Sequence, residues 1–134
     1  LIAVTPIFST SYSGLFKSFI DVIDPDALTG MPVLIGANAG TARHSLAIDY
    51  AIRPVFTYLH AEPVPTGVFA ASSDWGANAD QVKPLAARVE RGALELAEAI
   101  ARREARRVVD AFDPEAYLGE GRSFGHLLGG LAGE

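Results

Sequence analysis

The sequence predicts an α/β protein built on a parallel sheet, on three observations. Strand-like apolar runs alternate three times with amphipathic helical stretches, and such alternation gives parallel strands joined by right-handed crossovers. The second of these runs, Pro32-Val33-Leu34-Ile35-Gly36-Ala37, is apolar throughout, as a strand buried on both faces should be. Of the 134 residues, 49% are hydrophobic, enough to give one small domain a real core.

The elements follow in order. Leu1-Ile2-Ala3-Val4 opens a buried strand, which breaks at Thr5-Pro6 into the polar stretch Ser9-Thr10-Ser11-Tyr12-Ser13-Gly14. A helix over residues 14–23 places Leu15, Phe16, Phe19, Ile20 and Ile23 on one face. Asp24-Pro25-Asp26 ends it, because a residue before proline avoids the helical region. The strand at 32–37 turns at Asn38-Ala39-Gly40-Thr41. Thr41 then caps a helix over 42–59, with Pro54 inside it. An interior proline removes a backbone bond and costs about 3 kcal/mol in an isolated helix, so a kink near Tyr50 is expected. Residues 64–71 form the third strand, 72–78 a loop, and 80–109 a long helix with Pro84 in its first turn. Asp113-Pro114 ends that region, and the Gly-rich stretch 113–134 is read as a flexible tail, so the main domain spans 1–112. The first strand should lack a neighbour on one side. A long apolar edge strand is an aggregation liability, so this chain alone is expected to fold poorly.

Composition excludes several function classes. A formal net charge of −5 argues against a broad nucleic-acid surface, which needs clustered cations. Arg102, Arg103, Arg106 and Arg107 alternate with Glu98 and Glu104, the pattern of a solvated helix face. There are no cysteines, which removes disulfides, thiolate catalysis and zinc–cysteine sites and fits a reducing cytoplasm. No apolar run reaches the roughly 20 residues that span a bilayer. The three histidines, His44, His60 and His126, have no metal-ligand spacing. Ser9, Ser11 and Ser13 lie in no Gly-x-Ser-x-Gly elbow, so a hydrolase nucleophile is discounted.

Thr5-Pro6-Ile7-Phe8, Ser11-Tyr12-Ser13-Gly14, Leu15-Phe16-Lys17 and Asp21 form one block of motifs. Gly30-Met31-Pro32-Val33-Leu34-Ile35, Ala39-Gly40-Thr41-Ala42-Arg43-His44 and the run from Leu46 to Val55 form a second, with Gly67-Val68-Phe69-Ala70 beyond it. Together these blocks resemble the NADPH-dependent FMN reductase family, over about residues 1–105, and most closely the branch that supplies reduced FMN to two-component monooxygenases. The resemblance implies a flavodoxin-like three-layer sandwich, of which this chain holds strands three to five of the order 2-1-3-4-5. It implies an N-terminal half, carrying the flavin phosphate loop, that is not in this sequence. It further implies FMN and NADPH as cofactors, a flavin-dependent monooxygenase as partner, a homo-oligomer, and a cytoplasmic enzyme.

The resemblance also implies a site. Pro6, Ile7, Phe8 and Ser9 run beside the flavin ring, and Ser11, Tyr12, Ser13 and Gly14 finish the loop. Ala39, Gly40 and Thr41 precede a helix whose positive end suits a developing anion, and His44 follows on its first turn. Arg43 and His44 either touch flavin or a nicotinamide phosphate, or form a solvated turn. Gly14 is read as a position needing backbone freedom. Asp21 and Asp49 are read as capping or salt-bridging groups, and Lys17 as structural. Trp75 covers either a flavin edge or an oligomer surface. Tyr50, Pro54 and Phe56 belong either to a subunit interface or to the core. No residue is assigned acid–base work, because hydride passes between the cofactors themselves. Two alternatives stand beside a flavin-releasing reductase: an FMN-retaining quinone or azo reductase, and an inactive flavin-binding or oligomerisation fragment.

Overall fold

Strand β1 (Ile2–Phe8) alternates apolar residues that point to opposite sides, with Ala3, Thr5 and Ile7 buried. A computed structural model describes residues 1–75 and 84–105. A two-residue strand, β2 (Ser11–Tyr12), folds back antiparallel on β1, setting Phe8 opposite Ser11 and Ile7 opposite Tyr12. Sequence reading placed a loop here, and the hairpin differs for an evident reason. Its two turn residues, Ser9 and Thr10, have φ of 47° and 69°. A tight two-residue hairpin needs left-handed residues, usually Asn-Gly, so Ser-Thr carries no such signal.

Helix α1 (Gly14–Val22) is capped by Ser13, whose Oγ accepts from the Phe16 amide at 3.2 Å. It buries Ile20 and half-buries Phe16, while Leu15, Phe19 and Val22 stay exposed. The expected stop at Asp24-Pro25 is present and becomes a 3₁₀ turn, Pro25–Leu28, capped by Asp24. Strand β3 (Pro32–Ala39) is buried from Pro32 to Ala37. It pairs parallel with β1, with Pro6 opposite Asn38.

The expected helix over 42–59 is three pieces. A 3₁₀ turn, Ala42–His44, is followed by a π-helical segment, Ile48–Ile52, and then by α2 (Arg53–Tyr58). Pro54 therefore lies in the first turn of α2, where its missing N–H is tolerated. The widened π turn, not an interior proline, re-aims the chain. The expected strand over 64–71 is likewise divided. A short strand, β4 (Glu62–Pro63), pairs with Pro32 and Val33, and β5 (Val68–Ala71) pairs parallel with Gly36 to Ala39. Gly67 between them packs so closely on Ile48 that a Cβ there would lie 2.5 Å from its Cγ2.

Helix α3 (Leu85–Ala105) follows Pro84 and covers the second sheet face, where Leu96 and Ala99 meet Leu34 and Val64. The first face holds the larger core, including Val33, Ile35, Ile52, Phe56 and Phe69. The parallel order β1-β3-β5 thus has helices on both sides, as expected for consecutive strands of a doubly wound sheet. β1 is covered on one face only, leaving Ile2, Val4 and Phe8 each more than 60% exposed. The C-terminal end of the long helix, the 112/113 boundary, the tail and His126 lie outside the described residues.

Candidate functional site

The C-terminal ends of β1 and β3 lie side by side, as Pro6 facing Asn38 requires. The loop after each strand therefore opens at the same end of the sheet, where ligands of open α/β sheets bind. Between them lies a hollow of about 430 Å³, within the range of small-molecule sites. Thr10 and Ser11 of the hairpin form one wall, and Arg43, His44, Leu46, Ala47, Tyr50 and Ala51 complete it.

Local chemistry holds each wall. Thr5, 1% exposed, anchors the hairpin's exit. Its Oγ1 accepts from the Ser13 amide at 3.2 Å and donates to the Pro6 carbonyl at 3.1 Å. The left-handed conformation of Ser9 and Thr10 turns the chain within two residues. Such conformations carry strain and concentrate at binding sites. On the other side Thr41 Oγ1 accepts from the Arg43 amide at 3.3 Å, fixing the 3₁₀ turn. The amides of Ser9, Thr10, Gly40 and Thr41 have no backbone acceptor among the described residues. Among the described residues they have no side-chain acceptor either, and they stand in the turns next to the lining residues Ser11 and Arg43.

The residues expected at the site fall into three groups. Ser11 and His44 line the hollow, while Phe8 and Ala39 end β1 and β3, and Ser9, Gly40 and Thr41 lie in the turns that follow, outside the lining. Pro6 lies at the β1 end beside Asn38, and Ile7 packs in the core. Tyr12, Ser13 and Gly14 are turned to other work. Ser13 is the cap of α1. Tyr12 packs against Phe16, ring centroids 6.0 Å apart, and faces a second hollow of about 460 Å³ between α1 and α2. Gly14 has no left-handed φ, and a Cβ there would touch nothing. The freedom expected of Gly14 is instead demanded of Ser9 and Thr10.

Thr10, Leu46, Ala47, Tyr50 and Ala51 were not anticipated as lining. Only the fold brings them there, since the π turn places 46–51 behind the hairpin. A helix dipole adds little at Thr41. The turn it caps is three residues long, and aligned peptide dipoles sum only over a longer helix. What remains for an anion is free amides and the side chains of Arg43 and His44.

Other expected roles are structural. Lys17 pairs with Asp21 at 2.5 Å, a bond that raises the Lys17 pKa above its ordinary value. Asp49 accepts from Arg53 at 2.9 Å, and Arg53 also donates to the carbonyls of Val64 and Pro65. Phe56 is fully buried, which places it in the core, while Tyr50 is 80% exposed. Among the described residues no group of three His, Cys, Asp or Glu converges on a metal site, and no helix is long and apolar enough to cross a membrane.

Comparison with known proteins gives a consistent picture. The sequence profile described as NADPH-dependent FMN reductase matches residues 1–76. The chain is 39% identical over 89 residues to a Pseudomonas aeruginosa protein named FMN reductase (NADPH), covering 66% of this chain and 48% of that one. It is equally similar, with the same coverage, to a Pseudomonas fluorescens protein named NADH-dependent FMN reductase SfnF. In three dimensions it superposes on an oxidoreductase from Corynebacterium diphtheriae with a TM-score of 0.70 and 52% identity, covering 76% of this chain and 55% of that one. The chain spans about half the length of the curated relatives it matches. The parallel sheet with helices on both faces is thus part of a flavodoxin-like sandwich.

Proposed function

The chain belongs to the NADPH-dependent FMN reductase family, and on that premise we propose that it works in an NAD(P)H-dependent reductase acting on FMN. One observation carries the reading. Thr10 and Ser11 after β1 share one hollow with Arg43, His44 and Leu46 after β3, its parallel neighbour in the sheet.

The residues present fit a flavin ring. Leu46, Ala47 and Ala51 give the hollow an apolar lining suited to a flat aromatic system. The amides of Gly40 and Thr41, without a backbone acceptor among the described residues, suit the polar pyrimidine edge, where reduction adds negative charge. The bound flavin itself supplies the hydride-accepting chemistry. What this chain contributes is position and electrostatics. Thr5 and Ser13 hold the hairpin wall, Thr41 holds the turn, and Arg43 places a positive charge nearby.

Thr10, Arg43, Leu46 and Tyr50 are all exposed, so the hollow opens to solvent. An open site suits a flavin that enters as substrate and leaves reduced, for use by a monooxygenase. A reductase that keeps its FMN needs a more enclosed seat, so the quinone or azo reductase reading is second. Homo-oligomerisation finds support in the exposed apolar side chains of Leu15, Phe19, Tyr50 and Tyr58 around α1 and α2. The test is FMN-dependent oxidation of NADPH or NADH, followed by absorbance. Turnover that requires added FMN, with no yellow chromophore retained through gel filtration, is the expected result. Tightly retained FMN favours the second reading. Absence of turnover with either nicotinamide contradicts both and leaves a flavin-binding or oligomerisation fragment.

A further inference from the structure

Resting on the reductase reading, we propose that Arg43 selects NADPH over NADH by taking the 2′-phosphate of the dinucleotide. The two nicotinamides differ by that phosphate alone, so any group that tells them apart must recognise a phosphate ester. A guanidinium does so best, with parallel N–H donors matched to phosphate oxygens.

Arg43 differs from the other described cations. Lys17, Arg53, Arg88, Arg91 and Arg102 each hold a carboxylate. Arg103 donates to the Met31 sulfur at 3.3 Å. The Arg43 side chain has no protein partner among the described residues, although the chain carries 16 Asp and Glu against 11 Lys and Arg. It lies on the wall of a hollow lined by no carboxylate among the described residues, beside His44, which offers a further ring donor. Its backbone is fixed by the Thr41 hydroxyl. A guanidinium without a partner among the described residues, on the wall of that hollow, is arranged for an incoming anion. Thr10 and Ser11 line the same hollow and bring hydroxyls that can donate to phosphate oxygens.

The test is isothermal titration of NADPH, NADH, FMN and riboflavin into the full chain, as wild type, Arg43→Gln and Arg43→Lys. The expected result is NADPH binding about ten-fold or more tighter than NADH in the wild type, the scale of a charge-assisted hydrogen bond. Arg43→Gln lowers NADPH affinity to that of NADH and leaves NADH affinity unchanged, while Arg43→Lys keeps part of the preference. Equal wild-type affinities, no binding of either nicotinamide, or parallel weakening of both in Arg43→Gln overturns the assignment. Loss of FMN but not riboflavin affinity also overturns it, because Arg43 then reads the flavin phosphate. Turnover separates this from the reductase reading. Selective NADPH binding without FMN-dependent oxidation keeps the assignment and removes the reductase. Oxidation with a preference indifferent to Arg43 does the reverse.

Discussion

Thr10 is a β-branched residue held at φ 69°, a conformation that glycine adopts without penalty. Thr10→Gly should therefore stabilise the chain by about 1 kcal/mol, the lower end of such strain. Urea denaturation measures this, and a loss of stability would show that the turn is held by contacts of the threonine side chain. Glu95 makes a second residue-scale prediction. Its carboxylate accepts from the Thr66 amide and hydroxyl, both at 2.7 Å, tying the approach to β5 to α3. These bonds, the hydroxyl foremost, hold the Glu95 pKa below its ordinary 4.5. A depressed folded-state pKa stabilises the fold above the ordinary value, and that stability fades as pH falls through the folded value. Melting temperature should drop less steeply below pH 4.5 in Glu95→Gln than in the wild type. At this scale the sequence was uneven. Motif residues such as Ser11 and His44 could be picked out because a family pattern marks them. Thr5 could not, because its role is a hydroxyl reaching eight residues along the chain to Ser13.

At the scale of elements, the strands and α1 were legible because apolar runs and helical spacing are local signals. The stretch 42–59 was not. Its apolar spacing suits a single helix, but the chain uses three helical types to pass from the end of β3 to Leu59. The π turn is a tertiary choice, set by packing of Ile48 and Ile52 in the core and by Gly67 against Ile48. Two substitutions test this. Gly67→Ala should destabilise by roughly 1–3 kcal/mol through overpacking, and Ile48→Val should restore part of the loss. Equal stability of Gly67→Ala would mean that the contact relaxes freely. Pro54→Ala should change stability by no more than about 1 kcal/mol, since the proline occupies a first turn. A gain near 3 kcal/mol would instead reveal an interior proline.

For the whole molecule, the covered faces of the sheet explain stability and the uncovered ones explain behaviour. Helix α3 reaches β3 closely, as a Cβ on Gly92 would lie 2.8 Å from Leu34 Cδ1. It does not cover the outer face of β1, where Ile2, Val4 and Phe8 remain open. Exposed apolar rows on an edge strand invite association. Val4→Lys should raise the soluble, monodisperse fraction in light scattering without lowering the melting temperature. Unchanged association would move the sticky surface to α1, where Leu15, Phe19 and Val22 are exposed. The sheet's layering was legible from alternation of elements, but the meeting of residues 10–11 with 43–51 was not, because a hollow arises only when two loops share one sheet end. Titration with FMN observed by ¹H–¹⁵N NMR tests whether that meeting seats the flavin. Amide shifts should concentrate at residues 8–11 and 40–44, on both sides together. Shifts confined to the face between α1 and α2, or none at saturating FMN, would contradict it.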